Sequence, residues 1–426
     1  MKKLLLFLLL IPSLSNAITP IFTCGAEEGI DAIHWTLLGN GSFSTGTVKS
    51  GARSFRLNPS ASSSRLTNTT AFGASSIYVV RCYVYFATLP NANVAIVTTG
   101  TSSASGNGVY FVSSDGTLRN GNGPSSVEAS GASVTTGQWY RIDLLVNVSS
   151  VAISSQINGV GIATRNSLTA GTQTAISFGN NTTSVTADMF FDDILITQTA
   201  VDYPIGGGYV NQFVPTADGT HSGLTTSDFG RTLTGTDILN STTDSYLLLD
   251  DVPMESGSSV DWINMLAPVA SSYVENIFGP ASGISTPTVA PRIASFIIGI
   301  HAAGTGAYNG EWLLNDNGTT TAIFTASAVA GSTTVIYKTL TLTDPPSAAS
   351  SWTLSGNGNF NNLRVRFGPT ASVDANPDVY FDCAMVEAEF AEVALTIPGT
   401  PSDKRHTTLG VGMLASNQSR IKIKMK

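Results

Sequence analysis

Residues 137–161 read GQWYRIDLLVNVSSVAISSQINGVG. Ile142, Leu144 and Val146 alternate with Arg141, Asp143 and Leu145, a period of two with one lapse. That is the spacing of a strand with one face in a core. VAISSQI (151–157) is a second strand-like run, and Asn158-Gly159 closes it as a turn. The same signals extend outward to SIYVVRCYVYF (76–86), VAIVTTG (94–100) and GVYFVSS (108–114), punctuated by Ser114-Asp115-Gly116. A second set follows at ASFIIGIHA (294–302), GEWLLND (310–316), TTVIYKTLTLT (333–343) and NLRVRFG (362–368). Closely spaced strands with Gly/Asn/Asp turns predict an all-β chain of antiparallel β-sandwich (jelly-roll) domains in tandem. Only residues 266–276 would allow a helical turn.

Composition agrees. Of the 426 residues only 12% are charged and 42% are hydrophobic. The first figure is about half the usual ~25%, while the second is ordinary, so packed cores are affordable and Ser, Thr, Gly and Asn replace the missing charge. Disorder is excluded by the β-branched content, and a coiled coil by the absence of heptads.

Charge is uneven. The chain carries −8 overall, but residues 18–400 hold 13 basic and 28 acidic side chains, a net of −15. Such a body repels polyphosphate, so nucleic acid is not an expected partner. The last 26 residues carry six Lys/Arg against the single Asp403. Arg420, Lys422, Lys424 and Lys426 alternate there with Ile421, Ile423 and Met425. An extended strand with cations on one face and apolar groups on the other suits strand addition to a neighbouring sheet, in another copy or a partner protein. A solvated tail is the alternative.

At the other end, Lys2 and Lys3 precede LLLFLLLI (4–11) and the small-residue exit Ser15-Asn16-Ala17. Residues 1–17 read as a signal-like segment, too short in its apolar run to span a bilayer. No other stretch approaches a membrane span. Cys24, Cys82 and Cys383 are too few for a disulfide framework. Cys24 and Cys82 would pair if their strands were neighbours and stay buried thiols otherwise.

MFFDDILIT (189–197) is echoed by VYFDCAMVE (379–387), with Asp192 and Asp382 190 residues apart. Two related sandwiches explain the echo: one over 18–201, a Pro/Gly-dense linker over 202–220, a second over 221–396 and the basic tail over 397–426.

CGAEEG (24–29), Trp35, SGARSFRL (50–57), GQWYRIDLLV (137–146), INGV (157–160) and FFDDILIT (190–197) make the first block resemble the laminin-G/concanavalin-A-like jelly rolls. YPIGGGYV (203–210), VPTADGTHS (214–222), DSYLLLDDVP (244–253), FNNLRVRFGP (360–369) and VYFDCAMVE follow in an order similar to two-domain structural proteins of tailed bacteriophage virions. The resemblance covers about residues 22–390 and implies a non-enzymatic protein at a virion surface, decorating capsid or tail and touching other virion proteins, copies of itself or host glycans. The signal-like N-terminus departs from that pattern and keeps open a secreted bacterial surface protein that binds glycans or mediates adhesion.

The resemblance also implies sites. Carbohydrate-binding jelly rolls of this kind hold one structural calcium between the first and last strands, here at Glu27 with Asp192 or Asp193. The alternative is that these aspartates bond turn amides. The second block keeps Asp382 but has Cys383 beside it. Glucanases share the sandwich, but a retaining glucanase needs two carboxyl groups about 5–5.5 Å apart and an acidic run that is absent here. Glu387 and Glu389 share a strand face and are expected at an exposed edge. Glycan binding wants exposed aromatics beside hydrogen-bonding groups, as Tyr308, Asn309, Trp312 and Asn315 would supply, unless Trp312 is core. Trp139 and Trp352 read as core anchors. The four histidines form no metal-spaced cluster, and Gly206–Gly208 opens no helix that would bind phosphate.

Overall fold

The computed structural model describes residues 18–29, 33–58, 63–68, 72–100, 106–168, 172–180, 185–219, 229–231, 261–265, 273–303, 310–316, 319–325, 336–345, 351–355, 358–369 and 378–392. Among these every regular element is a strand, apart from two short 3₁₀ turns. None of the helices there is long and apolar enough to cross a membrane. Residues Met1–Glu392 form one unit. The other, Val393–Lys426, holds the basic tail with Arg420, Lys422, Lys424 and Lys426 and lies outside the described residues.

The chain folds the same way twice. In the first sandwich, Asp188–Thr197 pairs along one edge with Ile77–Thr88, and along the other with Ser54–Leu57 and then Pro20–Cys24. Ile77–Thr88 continues to Trp139–Asn147. In the second, Asp378–Ala391 pairs along one edge with Pro291–Ala303, and along the other with Asp261–Met265 and then Gly208–Asp218. Pro291–Ala303 continues to Ile336–Leu342. The facing layers match too. Ala175–Asn180 lies between Ser64–Asn68 and Val94–Gly100, which leads to Asn107–Val112. Leu363–Pro369 lies between Val274–Pro280 and Gly310–Asp316, which leads to Thr319–Thr325. Among the described residues nine strands thus recur in the same chain order with the antiparallel partners named, while Gly208–Asp218 adds a pairing with Val274–Pro280 that joins the second half into one continuous sheet.

Period-two alternation builds each core. Tyr78, Val80, Cys82, Val84 and Phe86 point inward from one strand and meet Phe178, Phe191, Trp35 and Leu144. In the second sandwich Ala384, Val386, Ala388 and Phe390 face Val274, Phe278, Leu363 and Val365. Trp352 belongs to this core, as expected. Trp139 does not: it shares the outer face with Tyr85, 5.5 Å away between ring centroids, because its position is odd in a strand whose even positions face inward.

The echo in the sequence is an echo in register. Asp192 lies opposite Tyr83 and Leu195 opposite Arg81, so three steps on one strand face two on its neighbour. Phe381 lies opposite Ile300 and Cys383 opposite Gly299, so two steps face one. Each last strand carries a one-residue β-bulge at the repeated position.

Two expectations need correction, and the cysteine alternatives are decided. The linker is shorter than 202–220, because Gly208–Asp218 is a strand that pairs with both layers of the second sandwich. Residues 274–276, inside the window that would allow a helical turn, belong to strand Val274–Pro280; 266–272 lie outside the described residues. All three cysteines are buried free thiols. Cys24 and Cys82 sit on strands flanking Asp188–Thr197 on opposite sides. Two strand spacings, about 9.5 Å, exceed the ~7 Å Cα limit of a disulfide. Thiol titration of the denatured chain, purified without reductant, is expected to find three thiols per chain, and reductant is expected to leave the melting temperature unchanged.

Candidate functional site

The outer faces of the two sandwiches bury each other. On Asp378–Ala391 the residues alternate to Cys383, Met385, Glu387 and Glu389, all at most 1% exposed. Glu387 and Glu389 are therefore not at an open edge. Their strand has partners on both sides, and the first sandwich covers the face they share. Apolar contacts from Val79, Leu195, Ile205 and Ile293 seal one part of this junction.

Arg81 occupies its centre. It is fully buried, with Nη1 2.5 Å from Glu389 Oε1. Nε and Nη2 donate to the carbonyl oxygen of Asp193 at 3.2 and 3.1 Å. Arg292 Nε donates to Glu389 Oε2 at 2.7 Å, and its Nη2 reaches Oε1. Burial would raise the Glu389 carboxyl, but Arg81 and Arg292 hold it below its ordinary value. A signal for this was present in the sequence: a lone Arg inside SIYVVRCYVYF is tolerated in a buried strand only if it is paired.

The bulge explains the geometry. Asp193 has φ +51°. This left-handed conformation interrupts the alternation that would send Asp192 and Asp193 to opposite faces, and both side chains are fully buried. Asp192 Oδ2 accepts from the Lys49 amide at 2.7 Å and Oδ1 from the Asp193 amide at 2.7 Å. Asp193 Oδ1 accepts from the Ser50 hydroxyl at 2.5 Å and the Val210 amide at 2.6 Å. Asp193 Oδ2 has no partner. Glu27 Oε2 accepts from the Ala52 amide at 2.8 Å. Gly51 (φ +64°) leaves room for that carboxylate, since a Cβ there would collide with Glu27 Oε1.

Glu387 enters the first sandwich as a plug. Ala26 has φ +65°, which turns the amides of Gly25 and Glu27 to the same side. Both donate to Glu387 Oε1, at 3.3 and 2.9 Å, making an anion-binding nest. Glu387 Oε2 has no hydrogen-bond partner, and the Glu28 and Glu387 carboxyls come within 4.8 Å of each other.

The cluster thus holds five buried carboxylates, Glu27, Glu28, Asp192, Asp193 and Glu387, while its buried guanidinium is committed to Glu389 and a carbonyl. Burial first, then mutual repulsion, raises Asp192 and Glu387 well above the ordinary range; burial does the same to Glu27. Glu28 is pushed up to about 7 by burial. Calcium takes six to eight oxygens. Glu27, Asp192 and Asp193 are hard, acidic donors, and Asp193 Oδ2 is unpartnered, but among the described residues their oxygens do not come within 4.8 Å of one another as a set of three. They satisfy the alternative, since both aspartates and Glu27 accept backbone amides.

Of the glycan residues, Tyr308 and Asn309 lie outside the described residues. Trp312 and Asn315 belong to Gly310–Asp316, paired on both edges, and their side chains lie outside the described set.

No protein family and no curated protein matches the sequence. Solved structures with partial likeness include a cellulose-induced protein, Cip1, at 16% identity and TM-score 0.34, over 42% of this chain and 97% of that one. Domain 4 of an extracellular arabinanase from Geobacillus stearothermophilus, in complex with arabinotriose, follows at 17% identity and TM-score 0.29, over 42% of this chain and 81% of that one. A carbohydrate esterase of the Shiga toxin-encoding bacteriophage phi24B gives 14% identity and TM-score 0.32, over 42% and 97%.

Two outcomes test the junction. A Cβ at Gly208 would lie 2.1 Å from Arg81 Nη1 and 2.2 Å from Glu389 Oε1. Gly208→Ala, like Arg81→Met, is expected to cost about 3–5 kcal/mol by urea unfolding, the range for breaking a buried pair.

The second is a pH effect. The folded Glu28 carboxyl binds its proton more tightly than the unfolded one, so its stabilisation is full below pH 4.5 and is lost as pH rises through about 7. In metal-free protein Glu28→Gln is expected to reduce this loss and leave the part carried by Glu27, Asp192 and Glu387, which runs in the same sense. His34, pushed down to about 4 by burial, acts in the opposite sense, and comparison with Glu28→Gln separates the two.

Proposed function

We propose that this chain is a non-enzymatic structural protein of a tailed-phage virion, decorating capsid or tail with two rigidly joined sandwiches. The observation that carries the non-enzymatic part is the sealing of the acidic centre. Glu27, Glu28, Asp192, Asp193, Glu387 and Glu389 are each at most 1% exposed. A glycosidase must bring its carboxyl groups to a sugar, and these have no path to one. They serve instead to fix one sandwich on the other. The virion part is supported by the order of motifs from 203 to 253 and 360 to 387.

Within this reading Glu27, Asp192 and Asp193 hold a structural calcium. Bound, the ion neutralises their charge and ties the loop at 49–53 to the last strand of the first sandwich. Host-glycan contact is a further part of the proposal. Besides the loop at 304–318, the outer face offers the half-buried cross-strand pair Trp139 and Tyr85, 5.5 Å apart between ring centroids. The second reading, a secreted bacterial adhesion protein, is favoured by the basic, apolar and small-residue order of residues 1–17.

The chain's location separates the readings. Recovery in purified particles supports the virion protein. A mature start near Ile18 in the culture medium, with no particle association, supports secretion and overturns it. In purified protein, calcium chelation is expected to lower the melting temperature, with stabilisation by the ion of about 2.7 kcal/mol at a hundredfold excess over Kd. Deleting residues 418–426 is expected to weaken assembly most at low salt; equal assembly at every salt concentration removes the tail's role.

A further inference from the structure

We propose that Cys24, Glu28 and Glu387 form a second cation site, for a thiophilic divalent metal of the zinc class, that staples the two sandwiches together. Cys24 and Glu28 belong to the first sandwich and Glu387 to the last strand of the second. One ligand atom of each lies within 4.8 Å of the others, and all three residues are buried.

Two observations point to a ligand here. The first is the free oxygen. Glu387 is held by the Gly25 and Glu27 amides through Oε1 alone, which leaves Oε2 without a partner at 0% residue exposure. A carboxylate oxygen of Glu387 lies within 4.8 Å of one of Glu28, so either a proton or a cation must lie between the two carboxyls. The second is spacing. Cys24 Sγ lies 3.6 and 3.8 Å from the two Glu28 oxygens. Tetrahedral zinc, with bonds of about 2.3 Å to sulfur and 2.0 Å to oxygen, places such a pair ~3.5 Å apart.

The donor set decides the class. Calcium and magnesium prefer oxygen alone, whereas a thiolate beside two carboxylates suits zinc or cobalt(II). On binding, the Cys24 thiol gives its proton to solvent and the thiolate donates its electron pair to the metal; no oxidant or reductant is needed. The metal then takes the place of a proton shared between the facing carboxyls, and that proton also leaves to solvent. This site does not depend on the virion reading, nor on calcium at Glu27 and Asp192.

The test uses the full chain, reduced, stripped with a chelator and titrated with Co²⁺. One equivalent is expected to produce a thiolate-to-cobalt charge-transfer band, which Zn²⁺ then removes. Cys24→Ser should abolish the band. Glu387→Gln should weaken Co²⁺ binding ~100-fold or more, since even outer partners of a metal ligand are worth 10–100-fold. Glu387→Gln also guards against misfolding as an explanation, because a neutral amide removes the facing charge and the metal-free variant should melt no lower than the parent. Absence of the band in the folded parent chain, or its persistence in Cys24→Ser, would overturn the site.

Discussion

A guanidinium with no exposure to water sets the terms for this molecule. Arg81 stands on the outer face of a strand whose inner face is core, so it must find partners outside its own sandwich. It finds Glu389, and the left-handed bulge at Asp193 turns a carbonyl towards it. Remove Glu389 and the buried guanidinium keeps only a carbonyl; remove Arg81 and Glu389 keeps only Arg292. The neighbouring apolar contacts of Val79, Leu195, Ile205 and Ile293 supply burial, and the ion cluster fixes which way the two faces meet.

The strands were legible because each carries its own evidence. Ile142, Leu144 and Val146 are all fully buried, as their alternation requires. Asp143 is buried as well, although a polar residue on the opposite face reads as solvated; the Gly206 amide donates to it across the connection. Glu387 and Glu389 repeat the lesson. Alternation correctly places them on one face, but an acid facing water and an acid facing a second sandwich leave the same local pattern. What covers a face is decided by contacts more than 300 residues apart, such as Arg81–Glu389, and no window of sequence contains both partners.

The acidic centre was half legible. Glu27, Asp192 and Asp193 came from a likeness of motif, and each lies in the junction. Glu28 and Glu387 did not, and the reason is conformational. Their meeting depends on the positive φ of Ala26, which creates two converging amides where the sequence shows only a small residue. Backbone nests leave little compositional trace.

The repeated topology governs how the two halves meet. Pro20–Cys24 packs on Pro291–Ala303 and Asp378–Ala391; its counterpart in the repeat, Gly208–Asp218, packs on Asp188–Thr197 and touches Tyr83 of Ile77–Thr88. Equivalent surfaces therefore meet, as they do across the two-fold axis of an isologous dimer. Within one chain the halves pack as two subunits of such a dimer would, and they are not equivalent: Arg81 comes from one half and its acid, Glu389, from the other. The short connection holds them at a high effective concentration, so a contact that a free dimer would lose on dilution persists in a single copy.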